Sequence, residues 1–117
     1  MRFSGTILIA AFVWLGASSA HAASPYISCA AARSVDERTI CRSTALIQRD
    51  AEMSTLYRVL KGLVGMGQRG ALQDEQADWL KARRACGASF RCLRDHYDDR
   101  IAELDSYLDS IQERGPF

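Results

Sequence analysis

Residues 44–64 read TALIQRDAEMSTLYRVLKGLV, and in them Leu46, Asp50, Met53, Tyr57, Leu60 and Val64 follow one another at steps of 4-3-4-3-4. Steps of three and four return to one face of a helix with 3.6 residues per turn. The segment therefore predicts an amphipathic α-helix with an inward stripe. Ser43 or Thr44 is placed to cap its start. The glycines at 62, 65, 67 and 70 weaken and end it, because glycine loses the most conformational freedom in a helix. Nowhere does the chain sustain the period-two alternation of a half-buried strand.

Working outward, the same steps recur downstream. Leu72, Gln76, Trp79 and Arg83, with Leu80 beside them, predict a third helix from about Ala71 to Ala85, stopped by Gly87. Ser89 can cap a fourth, whose inner face reads Phe90, Leu93, Tyr97, Ile101, Leu104, Leu108 and Ile111, up to Gly115-Pro116. Upstream, Ser34-Val35-Asp36-Glu37 has capping-box spacing and opens a short helix from Val35 to about Arg42, preceded by an extended segment from Ala23 to Ser28. The expectation is an all-α domain, a small disulfide-stabilised helical bundle. Three longer helices share their apolar faces and the short N-terminal helix covers one end. The third and fourth helices form an antiparallel hairpin around Gly87.

The first twenty-two residues differ from the rest. Arg2 is the only charge before Arg33, an apolar run spans Thr6 to Ala17, and Ser18-Ser19-Ala20-His21-Ala22 follows. This is the order of a cleavable secretory signal. The apolar run has only about a dozen residues, against the roughly twenty a membrane-spanning helix needs. The division expected is therefore a signal peptide over 1–22, cut after Ala22, and one domain over 23–117. The product would be periplasmic or secreted, with no membrane anchor because no lipid-accepting cysteine stands at the cut. Losing Arg2 leaves fourteen basic residues against fourteen acidic ones. A neutral chain offers no electrostatic footprint for nucleic acid.

Four cysteines, Cys29, Cys41, Cys86 and Cys92, all lie beyond the leader. An even count in a short exported chain reads as a disulfide framework. Structural zinc favours C-x₂₋₄-C pairs, often with histidines, whereas here the gaps are eleven and five residues and His96 is the one histidine after the leader. No metal is expected. Three pairings remain open. Cys29–Cys41 with Cys86–Cys92 is favoured because each closes a short local loop.

Catalytic constellations are missing. His96 stands among Asp95, Asp98 and Asp99 and reads as a solvated surface histidine. There is no phosphate-cradling glycine loop and no C-x-x-C redox pair. The expectation is a protein that is not an enzyme and uses no cofactor. Asp50, Gln76 and Arg83 interrupt apolar stripes. A buried carboxylate needs a partner, so these three are expected to form an internal polar network in which Arg83 offers a bidentate fork to Asp50 and Gln76 satisfies a remaining group. Charge is also unevenly laid out. Lys81, Arg83, Arg84, Arg91 and Arg94 form an acid-free basic run, followed by seven acidic residues and one basic between Asp95 and Glu113. A basic hairpin tip and an acidic flank suit the steering of a charged protein partner.

In order, the chain shows Ser28-Cys29, then Glu37-Arg38-Thr39-Ile40-Cys41, then Asp50 and Tyr57. Gln76-x-x-Trp79-Leu80-x-x-Arg83-x-x-Cys86, Cys92-Leu93-x-x-x-Tyr97 and Arg100-Ile101 follow. This arrangement resembles the bacterial envelope family of the lysozyme inhibitor LprI, over about Cys29 to Leu104. The family's namesake is a lipoprotein with a further C-terminal region, which this chain does not reproduce. The resemblance implies a proteinaceous binder of a glycan-cleaving enzyme. Lysozymes work with paired carboxylates, which an exposed cation such as Lys81, Arg84 or Arg91 is suited to engage. The alternative is an envelope protein-interaction module with no effect on lysozyme.

Overall fold

The computed structural model describes residues 26–115; the leader and cleavage site expected from the sequence lie outside them. A single 3-10 turn, Cys29–Ala31, precedes α1 (Val35–Cys41), α2 (Thr44–Leu63), α3 (Met66–Ala85) and α4 (Phe90–Gln112). The described residues are all-helical apart from turns and connecting segments.

Each start has a local cause. At α1 the Glu37 carboxylate reaches back to the backbone N–H of Ser34 at 3.2 Å and of Arg33 at 2.9 Å, closing a capping box. Ser43 Oγ accepts from the Leu46 N–H at 3.3 Å at the head of α2, and Ser89 Oγ from the Cys92 N–H at 3.2 Å at the head of α4. Gly87 takes φ +56° in the turn after α3, a left-handed conformation that other residues rarely adopt.

The glycine-rich stretch behaves differently from the sequence expectation. The break is confined to Val64 and Gly65, and α3 resumes at Met66, carrying Gly67 and Gly70 inside its first turns. Two extended residues, Val64 with ψ 151° and Gly65 with ψ 169°, are enough to turn the chain. The two helical glycines then cost about 1 kcal/mol each relative to alanine. That is a tolerable loss in a helix held by its packed face. Phe90, expected on the inner face of α4, is instead 46% exposed, because it is the first helical residue and projects beyond the packed layer.

The core is the predicted stripe and its counterparts. Leu46, Met53, Leu60, Leu72, Leu93 and Leu104 are essentially sealed, with Ile40 of α1 closing one end. The helices α3 and α4 run antiparallel, as Gln76 meets Arg100 and Trp79 meets His96. The most extensive contact, however, is between α2 and α4. These run parallel: Arg49 pairs with Asp98 at 2.6 Å, and further along Leu56 shares a groove with Asp105. A three-helix up-down-up path places its first and third members side by side in the same direction.

Two disulfides staple the end at which α1 sits. Cys29 is bonded to Cys41 and Cys86 to Cys92, and no cysteine is free. The first ties the N-terminal strap to the end of α1. The second clips the α3–α4 turn.

Candidate functional site

The polar residues of the core form two clusters rather than one. In the first, Asp50 of α2 is fully buried. Its Oδ1 accepts from the Tyr97 hydroxyl at 2.7 Å and its Oδ2 from the Ile27 backbone N–H at 2.9 Å. Arg83 lies close, with Nη1 3.9 Å from Asp50 Oδ1, but its fork is not given to Asp50. Arg83 Nε donates to Asp36 Oδ2 at 3.0 Å, Nη1 donates to the Tyr97 hydroxyl at 3.4 Å, and Nη2 stands 4.0 Å from Glu37 Oε1. The expected Arg83–Asp50 fork is thus replaced by an Arg83–Asp36 bond. The reason is steric: α1 caps this end of the bundle and brings Asp36 to the guanidinium, while Tyr97 stands between Arg83 and Asp50.

Electrostatics follow from this packing. Burial opposes charge on Asp36, but the hydrogen bonds of Ser34 and Arg83, with the charge of Arg83, together hold its carboxyl below the ordinary value. Burial also works against the Arg83 cation, and Tyr97 and Asp36 more than offset it. Burial, then the Asp50 charge, push the Tyr97 hydroxyl far up, so it remains a donor. Trp79 closes the cluster: its ring lies 5.9 Å from the Arg83 guanidinium carbon and edge-on to Tyr97 at 5.2 Å.

Gln76 belongs to the second cluster. Its Oε1 accepts from Arg100 Nε at 3.2 Å and Nη2 at 3.1 Å, and its Nε2 approaches Met53 Sδ at 3.2 Å. Arg100, only 3% exposed, turns its remaining nitrogen out to Glu103 at 2.7 Å. The expectation that Gln76 serves Asp50 is therefore corrected. One helical turn along α3 separates it from Trp79 and two from Arg83, and that distance puts it opposite Arg100. Arg100, Asp36 and Tyr97 were not read from the sequence as network members. The signal was present: Arg100 continues the steps Leu93, Tyr97, Arg100, Leu104, and Asp36 lies one turn before buried Ile40.

His96 also departs from the solvated reading. It is half-buried, with its ring stacked on Trp79 at 5.0 Å between centroids. Its Nε2 lies 3.1 Å from the Trp79 carbonyl, while Trp79 Nε1 donates to the His96 carbonyl at 3.3 Å. This reciprocal pair fastens α3 to α4.

The three candidate contact cations differ in their commitments. Lys81 is exposed and paired with Asp78 at 3.0 Å; Arg91 is exposed and 3.8 Å from Asp95, which also takes Arg94 at 2.7 Å. The guanidinium of Arg84 has no ion-pair partner among the described residues. Lys81 and Arg84 border a half-open cleft of about 290 Å³ between α3 and the N-terminal strap, whereas Arg91 lies away from it. Among the described residues no group of three His, Cys, Asp or Glu side chains is placed to hold a metal ion. No helix there is long and apolar enough to cross a membrane.

The described residues form a small helical domain stapled by two disulfides, with Asp36, Asp50, Arg83 and Arg100 locked into the core and a basic end left to solvent, which defines a disulfide-stapled helical scaffold. The chain belongs to the LprI lysozyme inhibitor family. The family model "Lysozyme inhibitor LprI" matches residues 29–113, which include both disulfides and every side chain of the two polar clusters. No curated protein and no solved structure matches the chain.

Proposed function

We propose that this protein is exported by cleavage of residues 1–22 and inhibits a lysozyme by binding it, without catalysis of its own. The observation that carries the reading is the family match over residues 29–113. Two features support it. The disulfides and buried ion pairs preorganise the scaffold, which limits the ordering cost of association. The basic end offers Lys81, Arg84 and Arg91 for charge-assisted hydrogen bonds to the carboxylates with which lysozymes work, and the acidic flank of α4 suits the attraction of a basic enzyme body.

The test is a cell-wall turbidity assay with the purified mature chain. Lysis slowed at modest molar excess supports inhibition. Lysis unchanged at large excess overturns it and leaves the envelope interaction module as the surviving reading.

A further inference from the structure

Resting on the reading of the chain as a protein binder, we propose that the cleft between the strap and α3 is the seat for an acidic side chain of the partner, with Arg84 as its counter-ion. The usual picture of a cation protruding into an enzyme's groove is thereby partly reversed: this end of the molecule is concave and receives.

The walls set the chemistry. Ile27, 8% exposed, and half-buried Leu80 supply apolar sides, and Tyr26, 54% exposed, stands at the rim. Such walls suit a short methylene stem. At the head, Arg84 contributes a guanidinium with no ion-pair partner among the described residues. Lys81 adds a second cation, whose pairing to the exposed Asp78 is weak and exchangeable. A guanidinium matches a carboxylate through two parallel hydrogen bonds.

The same cleft argues against more heavily charged ligands. Glu37 lines it, and its carboxyl is held below the ordinary value by the backbone N–H groups of Arg33 and then Ser34, so it is ionised at neutral pH. A phosphate dianion entering here meets that charge; a single carboxylate finds Arg84 and Lys81 in excess of it.

The cleft is also built beforehand. Ile27 is pinned by its N–H bond to Asp50, the strap is tied by Cys29–Cys41, and Arg83, which also lines the cleft, is held by Asp36. Little ordering remains to be done on binding. Arg91, by contrast, sits on the first turn of α4 outside the cleft, with its side chain 86% exposed.

Two measurements on the mature chain test this separately from inhibition. In the first, amide NMR shifts are followed while N-acetylglutamic acid α-amide is added at millimolar concentration, with N-acetylglutamine amide and inorganic phosphate as comparisons. Saturable shifts at Ile27, Ser28, Leu80 and Arg84, weakened about tenfold or more by Arg84→Gln and not reproduced by either comparison, are expected. Shifts that do not saturate, that map elsewhere, or that phosphate reproduces more strongly overturn the proposal. In the second, calorimetry against lysozyme compares Arg84→Gln with Arg91→Gln. A loss of at least about thirtyfold for Arg84→Gln, the scale for truncating one member of a buried charge pair, and under about threefold for Arg91→Gln is expected. The reverse order overturns the proposal. If lysozyme does not bind at all, the inhibitor reading fails and the probe titration alone decides the cleft.

Discussion

The Tyr97 hydroxyl donates a 2.7 Å hydrogen bond to Oδ1 of Asp50, joining α4 to α2 inside the core across 47 residues of chain. Asp50 has no exposed surface and Tyr97 none, so water replaces neither partner. Tyr97→Phe keeps the ring and removes this donor together with the oxygen that accepts from Arg83 Nη1 at 3.4 Å, leaving the carboxylate with the Ile27 N–H and a guanidinium nitrogen at 3.9 Å. A hydrogen bond to a charged group is worth about 1.5–3 kcal/mol. The variant should therefore melt on the order of 10 °C lower, measured by circular dichroism. A change within error would show the bond to contribute nothing net.

Stability should fall at acid pH. The Asp36 carboxyl sits below its ordinary 3.8 because the bonds from Ser34 and Arg83 outweigh its burial, and Glu37 sits below its ordinary 4.5 through the N–H groups of Arg33 and Ser34. A carboxyl depressed in the folded state stabilises it above the unfolded value, and that contribution is lost as pH drops through the ordinary value toward the folded one. The urea midpoint should hold from neutrality to about pH 5 and decline below about pH 4. Asp36→Asn should be weaker at pH 7 yet show a shallower acid decline, and an unchanged acid slope in that variant would contradict the assignment.

The glycines of α3 are an avoidable weakness. A Cβ built on Gly67 or Gly70 meets nothing within 4 Å, and neither residue has a positive φ. Gly67→Ala and Gly70→Ala should each stabilise by about 0.5–1 kcal/mol. Gly87→Ala, at φ +56°, should destabilise by about 1–2 kcal/mol despite equally open space. Denaturant midpoints of the three variants check both signs.

The two disulfides should be unequal. Cys29–Cys41 spans 12 residues and Cys86–Cys92 spans 6. By loop entropy, replacing both cysteines of a pair with serine should cost about 3 kcal/mol for the first and about 2 kcal/mol for the second. The first replacement should also release the strap, so the Ile27 amide, bonded to Asp50 in the intact protein, should lose hydrogen-exchange protection before the α2 amides do. Equal protection in both double variants would place the strap's hold in Asp50 alone.

Steps of three and four residues disclosed which face of each long helix turns inward, because a helix repeats its facing direction with a fixed period whatever it packs against. Leu46, Met53, Leu60, Leu72, Leu93 and Leu104 are buried for that reason, and so are Asp50, Gln76 and Arg83, whose polarity makes them conspicuous in the stripes. Ser43, Ser89 and Gly87 could likewise be placed as punctuation, since capping and left-handed turns are local chemistry.

Which inward residues meet was decided by how the helices rotate and slide against one another, and no single helix carries that information. Arg83 chose Asp36 over Asp50 because α1 folds across the bundle end, Gln76 found Arg100 on α4, and His96 left solvent for the face of Trp79. The parallel α2–α4 contact and the cleft beside Arg84 arise the same way, from surfaces far apart in the chain brought together. Periodicity sets what each helix must hide. Only the joint packing of α1 to α4 sets where each buried charge finds its counterpart, because that choice depends on distances between helices, not along them.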